Sequence, residues 1–255
     1  MTLELWLGGG VFAALVLIES LVPFQAQSGR AAHDLTNGSL AVVNALIGAA
    51  LAPLTTWSAA TAAEAGLGLT RLVPLPGWLA LILALVLFDL WMYLWHRANH
   101  RVALLWRLHR VHHTDPQMNA STALRFHPGE ILISMLLNSG VVVLIGLDLE
   151  ALVLYKTMMV AVILLHHSNV RLPDLLDRTL RAVLVPPSMH RVHHSDVEAE
   201  TNSNYGTVLS VWDRLFGSFR LRTDPQSIRY GIGRFADSHW KSPLALLLLP
   251  LRGPA

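Results

Sequence analysis

WLALILALVLFDLWMYLW, Trp78 to Trp95, runs directly into His96-Arg97-Ala98-Asn99-His100. The apolar run holds eighteen residues with Asp89 as its one charge, close to the about 20 apolar residues that a helix needs to cross a bilayer. Trp91, Tyr93 and Trp95 cluster at its end, as aromatic residues do at a membrane interface. The stretch predicts a membrane helix whose last turn presents His96 and His100 on one face, since residues four apart lie above one another.

Outward from this helix, the pattern repeats. Leu3 to Phe24 is apolar apart from Glu19, lacks a basic leading region and a small-residue cleavage site, and reads as a membrane helix rather than a signal peptide. A second run spans Leu40 to about Ala60 and contains Asn44 and Pro53. Ile131–Leu147 and Leu149–Leu165 are separated only by Asp148, which predicts a helical hairpin that dips in and returns to the same side. The fold class expected is an all-α integral membrane protein with about four to five transmembrane or re-entrant helices and a histidine-rich helical cap. It forms a single domain over 1–255: N-terminal helices in 1–77, a core in 78–217 and a tail in 218–255.

Composition agrees. Of 255 residues 53% are hydrophobic and 14% charged, against about 25% charged in soluble domains, and the mean hydropathy is +0.46. There is no cysteine, which excludes disulfides, thiolate zinc sites, cysteine-ligated clusters and cysteine nucleophiles. Lys156 and Lys241 are the only lysines among 19 basic residues; with abundant Ala and Leu, this points to a GC-rich bacterial genome. Five arginines lie between Arg97 and Arg125 and nine between Arg171 and Arg234, with Arg30 in the first loop. The positive-inside tendency then puts both histidine-rich segments on the cytoplasmic face of what would be a bacterial inner membrane.

Thirteen histidines in so apolar a chain need a reason. Most fall into four clusters: His96/His100, His109-Arg-Val-His112-His113, His166-His167-Ser168-Asn169 and His190-Arg-Val-His193-His194. On helices, each cluster can turn two or three imidazoles toward one site, more than one four-coordinate ion uses, so two metals fit the supply better. Imidazole suits iron, zinc, copper and nickel, and buried imidazoles without a ligand would make a poor core. His33 and His239 stand alone as ordinary loop or interface histidines. His127 reads either as a ligand or as a donor behind one.

Polar neighbours can tune such a site. Asp89 lies two helical turns before His96 and is either a partner for a ligand N–H or a satisfied polar residue of the core. Glu130 is either a carboxylate contributing to the site or an interfacial charge. Asp196, Asn202 and Asn204 follow the last cluster and could orient its rings, and Asn169 closes the third. His127-Pro128-Gly129 is similar to the haem-binding motif of cytochrome b5, but Glu130 replaces the second glycine and a membrane run follows, so no fused haem domain is expected. An oxidase of this kind would need an external electron donor.

HRANH, HRVHH, RFHPGE, HHSN, HRVHH and the closing Asn204-Tyr205-Gly206 … Trp212-Asp213-Arg214-Leu215-Phe216-Gly217, in this order, resemble the fatty acid hydroxylase superfamily, which includes sterol desaturases and bacterial relatives. The resemblance runs from about Asp89 to Gly217. It implies a cytoplasmic cap over a di-iron centre and an O2-dependent lipid hydroxylase or desaturase, with zinc as a possible substitute in preparations. It implies as ligands His96, His100, His109, His112, His113, His167, His190, His193 and His194, with His127 able to complete the set. Among the polar neighbours, the candidate catalytic residues are Asp89, Glu130, Asn169 and Asn204. The partners implied are a membrane lipid and a ferredoxin- or cytochrome b5-type donor with its reductase, and no nucleic acid is expected. Two other classes stay open: a membrane zinc metallohydrolase, although no HExxH is present, and a metal transporter, although its histidines would lie within the spans.

Overall fold

The computed structural model describes residues 3–236 and 242–253; His239, expected to stand alone, lies outside them. The described residues form helices and turns, with β-pairing limited to isolated bridges such as Leu184 with Leu209. The helices are α1 (Leu3–Leu21), α2 (Arg30–Glu64), α3 (Gly77–Arg101), α4 (Ala103–His113), α5 (Pro128–Ile145), α6 (Leu149–His167), α7 (Asp174–Leu180), α8 (Pro187–His193), α9 (Glu198–Thr201), α10 (Val211–Leu215) and α11 (Pro243–Leu248). Four of them, α2, α3, α5 and α6, are long and apolar enough to cross a membrane, and Trp6–Leu21 of α1 is a shorter apolar helix. Large apolar side chains such as Leu17, Leu46 and Leu144 are exposed along them, which suits a lipid-facing surface.

Two helices outrun their apolar segments. The second begins at Arg30 rather than Leu40 and runs 35 residues with Pro53 inside it. At 1.5 Å per residue that is about 52 Å, well beyond the about 30 Å of a hydrocarbon core, so one end projects into the cap. There His33 meets Asp115 Oδ1 at 2.7 Å and Asn37 reaches Ser121 at 3.0 Å. His33 is thus an interface histidine, joining α2 to the loop after α4. The third helix continues unbroken through His96 and His100 to Arg101, so the membrane span and the first histidine pair are one rigid piece.

The hairpin of α5 and α6 forms as its sequence indicates. Gly146 caps α5 in the left-handed region at φ 88°, and Asp148 Oδ1 accepts from Ala151 N at 2.9 Å to start α6. The turn is crowded: a Cβ on Gly68 would lie 2.2 Å from Gly146 Cα. Between the spans, Phe88 and Tyr155 meet edge to face at 4.9 Å, amid Ala84, Val142, Ile145 and Leu152.

Two charges within apolar helices fasten this bundle to the cap. Glu19 accepts from Ala120 N at 3.1 Å and Asn169 N at 2.9 Å and pairs with Arg30. Asp89 accepts from Tyr155 Oη and Trp212 Nε1, both at 2.7 Å, and from Leu209 N at 3.1 Å. Burying a charge requires this kind of saturation. Of the two readings of Asp89, these bonds match a satisfied polar residue of the core: it ties α3 to α6 and to the closing segment, and none of them involves an imidazole.

Candidate metal centre

The ends of α3, α4, α6 and α8 meet under the cap, and nine histidines converge there in two groups. His96, His100, His109, His113 and His193 form one, and His112, His167, His190 and His194 the other; within each, one nitrogen per ring lies within 4.8 Å of all the rest. The two HRVHH boxes do not each serve one site. His109 and His113 enter the first group while His112 turns to the second; His190 and His194 enter the second while His193 turns to the first. Helix geometry explains the exchange: at about 100° per residue, positions i and i+4 differ by about 40°, but i+3 and i+4 by about 100°. Adjacent histidines thus straddle a boundary, and each box bridges both groups.

Hydrogen bonds orient the rings. Nδ1 of His96 donates to Tyr205 O at 2.9 Å, that of His112 to Arg125 O at 3.2 Å, that of His167 to Ile163 O at 2.8 Å and that of His193 to Ser203 O at 2.7 Å. His109 Nδ1 meets Glu130 Oε1 at 2.8 Å. A proton fixed on Nδ1 leaves Nε2 of a neutral ring as a bare acceptor, the usual arrangement behind a metal-binding imidazole.

Burial, reinforced by neighbouring imidazoles, holds His112, His113, His190 and His194 well below the ordinary histidine value, and burial brings His193 down to about 3. The rings therefore face one another uncharged. His112 Nε2 lies 3.0 Å from His167 Nε2, which lies 2.9 Å from His190 Nε2. His112 and His167 both give their Nδ1 proton to a carbonyl, so two lone pairs oppose each other. In the first group, neither nitrogen of His100 has a hydrogen-bond partner, nor has Nε2 of His193. Opposed lone pairs and orphaned buried nitrogens fit cations seated between them, and the all-imidazole donor set fits a borderline transition metal.

The remaining expected residues divide. Glu130 stands behind His109, with its other oxygen buried and unpartnered. His127 lies outside both groups: its Nδ1 accepts from Gly129 N at 3.0 Å, capping α5, and its Nε2 meets Leu247 O at 3.2 Å. His166 also lies outside them, its ring 3.8 Å from that of His190. Asn169 is bound through its side chain to both backbone groups of Gln25, at 3.0 and 2.8 Å, so it fastens the loop after α1. Asp196 is exposed at the surface.

Asn204 bears on the rings through the backbone. It occupies the left-handed region at φ 53°, and its amide reaches Met189 O, Arg220 O and Arg220 N. It shapes the turn whose neighbours, Ser203 and Tyr205, offer their carbonyls to His193 and His96. Asp213 completes that turn by accepting from Tyr205 N at 2.7 Å and Gly206 N at 2.9 Å. These carbonyls escaped the sequence reading because backbone groups carry no residue signal. Asp213 stood within the closing motif, which was the available clue.

From the two groups a cavity of about 350 Å3 extends between α3, α5 and α6. His96, His109, His112, His167 and His190 line one end; Phe88, Met92, Met135, Leu152 and Met159 line much of the rest. Predominantly apolar walls with a few convergent polar groups are what a small-ligand site requires.

A family model described as fatty acid hydroxylase matches residues 81–218. The chain is 30% identical over 227 residues to an ornithine lipid hydroxylase of Rhizobium tropici, covering 86% of this chain and 68% of that protein. It is 33% identical over 150 residues to an alkylglycerol monooxygenase of Danio rerio, covering 59% of this chain and 32% of the relative. It is 27% identical over 149 residues to a lathosterol oxidase of Mus musculus, covering 56% and 47%. The chain thus spans about two thirds of the first of these relatives and about a third of the second. No solved structure matches it.

Proposed function

The chain belongs to the fatty acid hydroxylase family, and from that premise we propose that it is an O2-dependent lipid hydroxylase or desaturase working through two iron ions. The observation that carries the reading is the convergence of nine imidazoles, in two abutting groups, on one end of an apolar cavity between membrane-length helices. Family membership weighs against the metallohydrolase and transporter alternatives. Hydroxylation ranks before desaturation because two of the relatives are named as hydroxylase and monooxygenase.

Iron, when bound, supplies the activation of O2 that attack on an unactivated C–H bond requires. The chain's own residues do the rest. The carbonyls of Ser203, Tyr205, Arg125 and Ile163 and the carboxylate of Glu130 keep the Nδ1 protons in place, so Nε2 stays available. The apolar walls exclude bulk water and guide a hydrocarbon segment toward the histidines. Electrons come from a ferredoxin- or cytochrome b5-type donor with its reductase. The arginine-bearing cap faces the cytoplasm of a bacterial cell, with the helices in its inner membrane.

The test is expression in a bacterial host under isotopically labelled O2, followed by mass spectrometry of the lipid extract. A lipid carrying one labelled oxygen, absent with His112→Ala/His193→Ala, is expected. If the unmutated chain and the double variant give identical lipid profiles under O2, with no new hydroxyl group or double bond, the reading fails.

A further inference from the structure

On the far side of α8 from the metal centre lies a second concavity, of about 620 Å3. Five arginines line it: Arg171, Arg178, Arg181, Arg191 and Arg222. The carboxylates among its described lining residues are Asp174 and Asp177. α8 divides it from the metal site, because His190 and His193 turn to the histidine groups while Arg191, between them, lines the recess. Contacts place the guanidiniums. That of Arg191 stacks over the Phe24 ring, 3.8 Å from its centre, and its Nη2 donates to Ser168 O at 3.0 Å and Val170 O at 2.7 Å. Nη2 of Arg171 donates to Phe24 O at 3.4 Å, so two guanidiniums gather at one phenylalanine.

Two of the five are already neutralised. Arg181 pairs with Asp177 at 3.2 Å and Arg222 with Glu200 at 3.1 Å. Arg171, Arg178 and Arg191 have no carboxylate within ion-pair distance among the described residues. Set against Asp174, these three leave an excess of two positive charges in one recess, and guanidinium forks match the oxygens of a phosphate. The recess lies where two apolar helices end. Phe24 follows the end of α1 by three residues and Arg171 that of α6 by four. The two segments pair there, Phe24 N donating to Asn169 O at 2.7 Å and Arg171 N to Val22 O at 3.1 Å. α6 is of membrane length, so its end stands near the level of lipid head groups. Exposed apolar side chains flank the recess: Leu21 and Val22 at the end of α1, Leu175 and Leu176 on α7. Basic pockets beside membrane helices take anionic head groups, and the flanking leucines favour a lipid over an acidic protein.

We propose that this recess binds the phosphodiester of an anionic membrane phospholipid, separately from any lipid that enters the histidine-lined cavity. Arg171, Arg178 and Arg191 hold the phosphate, and the acyl chains lie along the leucines of α1 and α7. A head group that carried its own amine would bring a positive charge into a site already in excess of it, so an anionic lipid binds more tightly than a zwitterionic one. The site does not depend on the metals or on the reaction they serve.

The test measures lipid retention. The purified, delipidated full chain in neutral detergent is offered phosphatidylglycerol and phosphatidylcholine with the same acyl chains. Bound lipid is counted by native mass spectrometry, with metal content as the check on folding. The unmutated protein is expected to hold phosphatidylglycerol about tenfold more tightly than phosphatidylcholine, a step of about 1.4 kcal/mol. Arg171→Gln/Arg178→Gln, at two exposed positions, loses that preference, and Arg171→Lys/Arg178→Lys keeps most of it. Arg107→Gln, at an exposed position outside the recess, keeps all of it. Equal retention of the two lipids by the unmutated protein, or a preference that survives Arg171→Gln/Arg178→Gln, overturns the proposal. An equal loss in Arg107→Gln also overturns it, since general surface charge would then suffice. So does displacement of phosphatidylglycerol by inorganic phosphate at equal concentration, which would mark a site for a soluble anion.

Discussion

At the scale of single residues, His127 and Glu130 separate by what their atoms touch, although they lie three positions apart. His127 caps α5 with Nδ1. Its replacement by alanine is expected to cost about 1 kcal/mol of stability, as loss of a helix cap does, and to leave metal content unchanged. Glu130 accepts from His109, so Glu130→Gln is expected to weaken metal affinity about 10–100-fold, the usual effect of losing a partner behind a ligand. Metal titration of the two variants by competition with a chelator checks both, and the reverse order of effects would contradict the assignment. The rings also dictate a pH dependence. His112, His113, His190, His193 and His194 are held neutral by burial, while the unfolded chain takes up protons below about 6.5. Their folded values are depressed, so the metal-free protein is least penalised above about 6.5 and loses stability as pH falls below it. Thermal unfolding of chelated protein from pH 8 to 5 should show the midpoint falling only over the lower part of that range; a midpoint independent of pH would contradict the buried, neutral cluster.

At the scale of helices, the spacing of the histidines was legible but their allocation was not. HxxHH indicated a shared face, whereas the real unit is the i, i+4 pair, with the i+3 ring crossing to the neighbouring group. His193→Ala is therefore expected to remove metal from the five-histidine group and His194→Ala from the four-histidine group, although the two residues are adjacent. Each single variant should lower stoichiometry from about two metals to about one, and two distinct sites should be left in their metal absorption spectra. Identical spectra from both variants would contradict the exchange. The continuation of α3 through His100 was legible in the four-residue spacing of His96 and His100, and the backbone helix ends only where Val102 becomes extended. The ten extra residues of α2 were hidden because an apolar count starts that segment at Leu40, whereas His33 and Asn37 before it bind the cap.

At the scale of the whole molecule, the apolar runs and four histidine boxes carried the architecture and nine ring positions. What they did not carry were pairings between residues far apart in the chain. Asn169 with Gln25, Glu19 with the amides of Ala120 and Asn169, and Asp89 with Trp212 are separated by about 100 to 150 positions. Such bonds decide whether a polar residue is structural or chemical, and nothing local announces them. They fasten the N-terminal helix, the spans and the closing segment around a single histidine cluster, so the whole fold serves to hold nine imidazoles against the end of a cavity. The most direct measurement is elemental analysis of the purified chain after reconstitution with ferrous iron, with His112→Ala/His193→Ala beside it. Two metals per unmutated chain, lost in the double variant while the protein remains helical, is the expected result. One metal or none in the unmutated chain, or two retained in the variant, would contradict a paired metal centre built from these histidines.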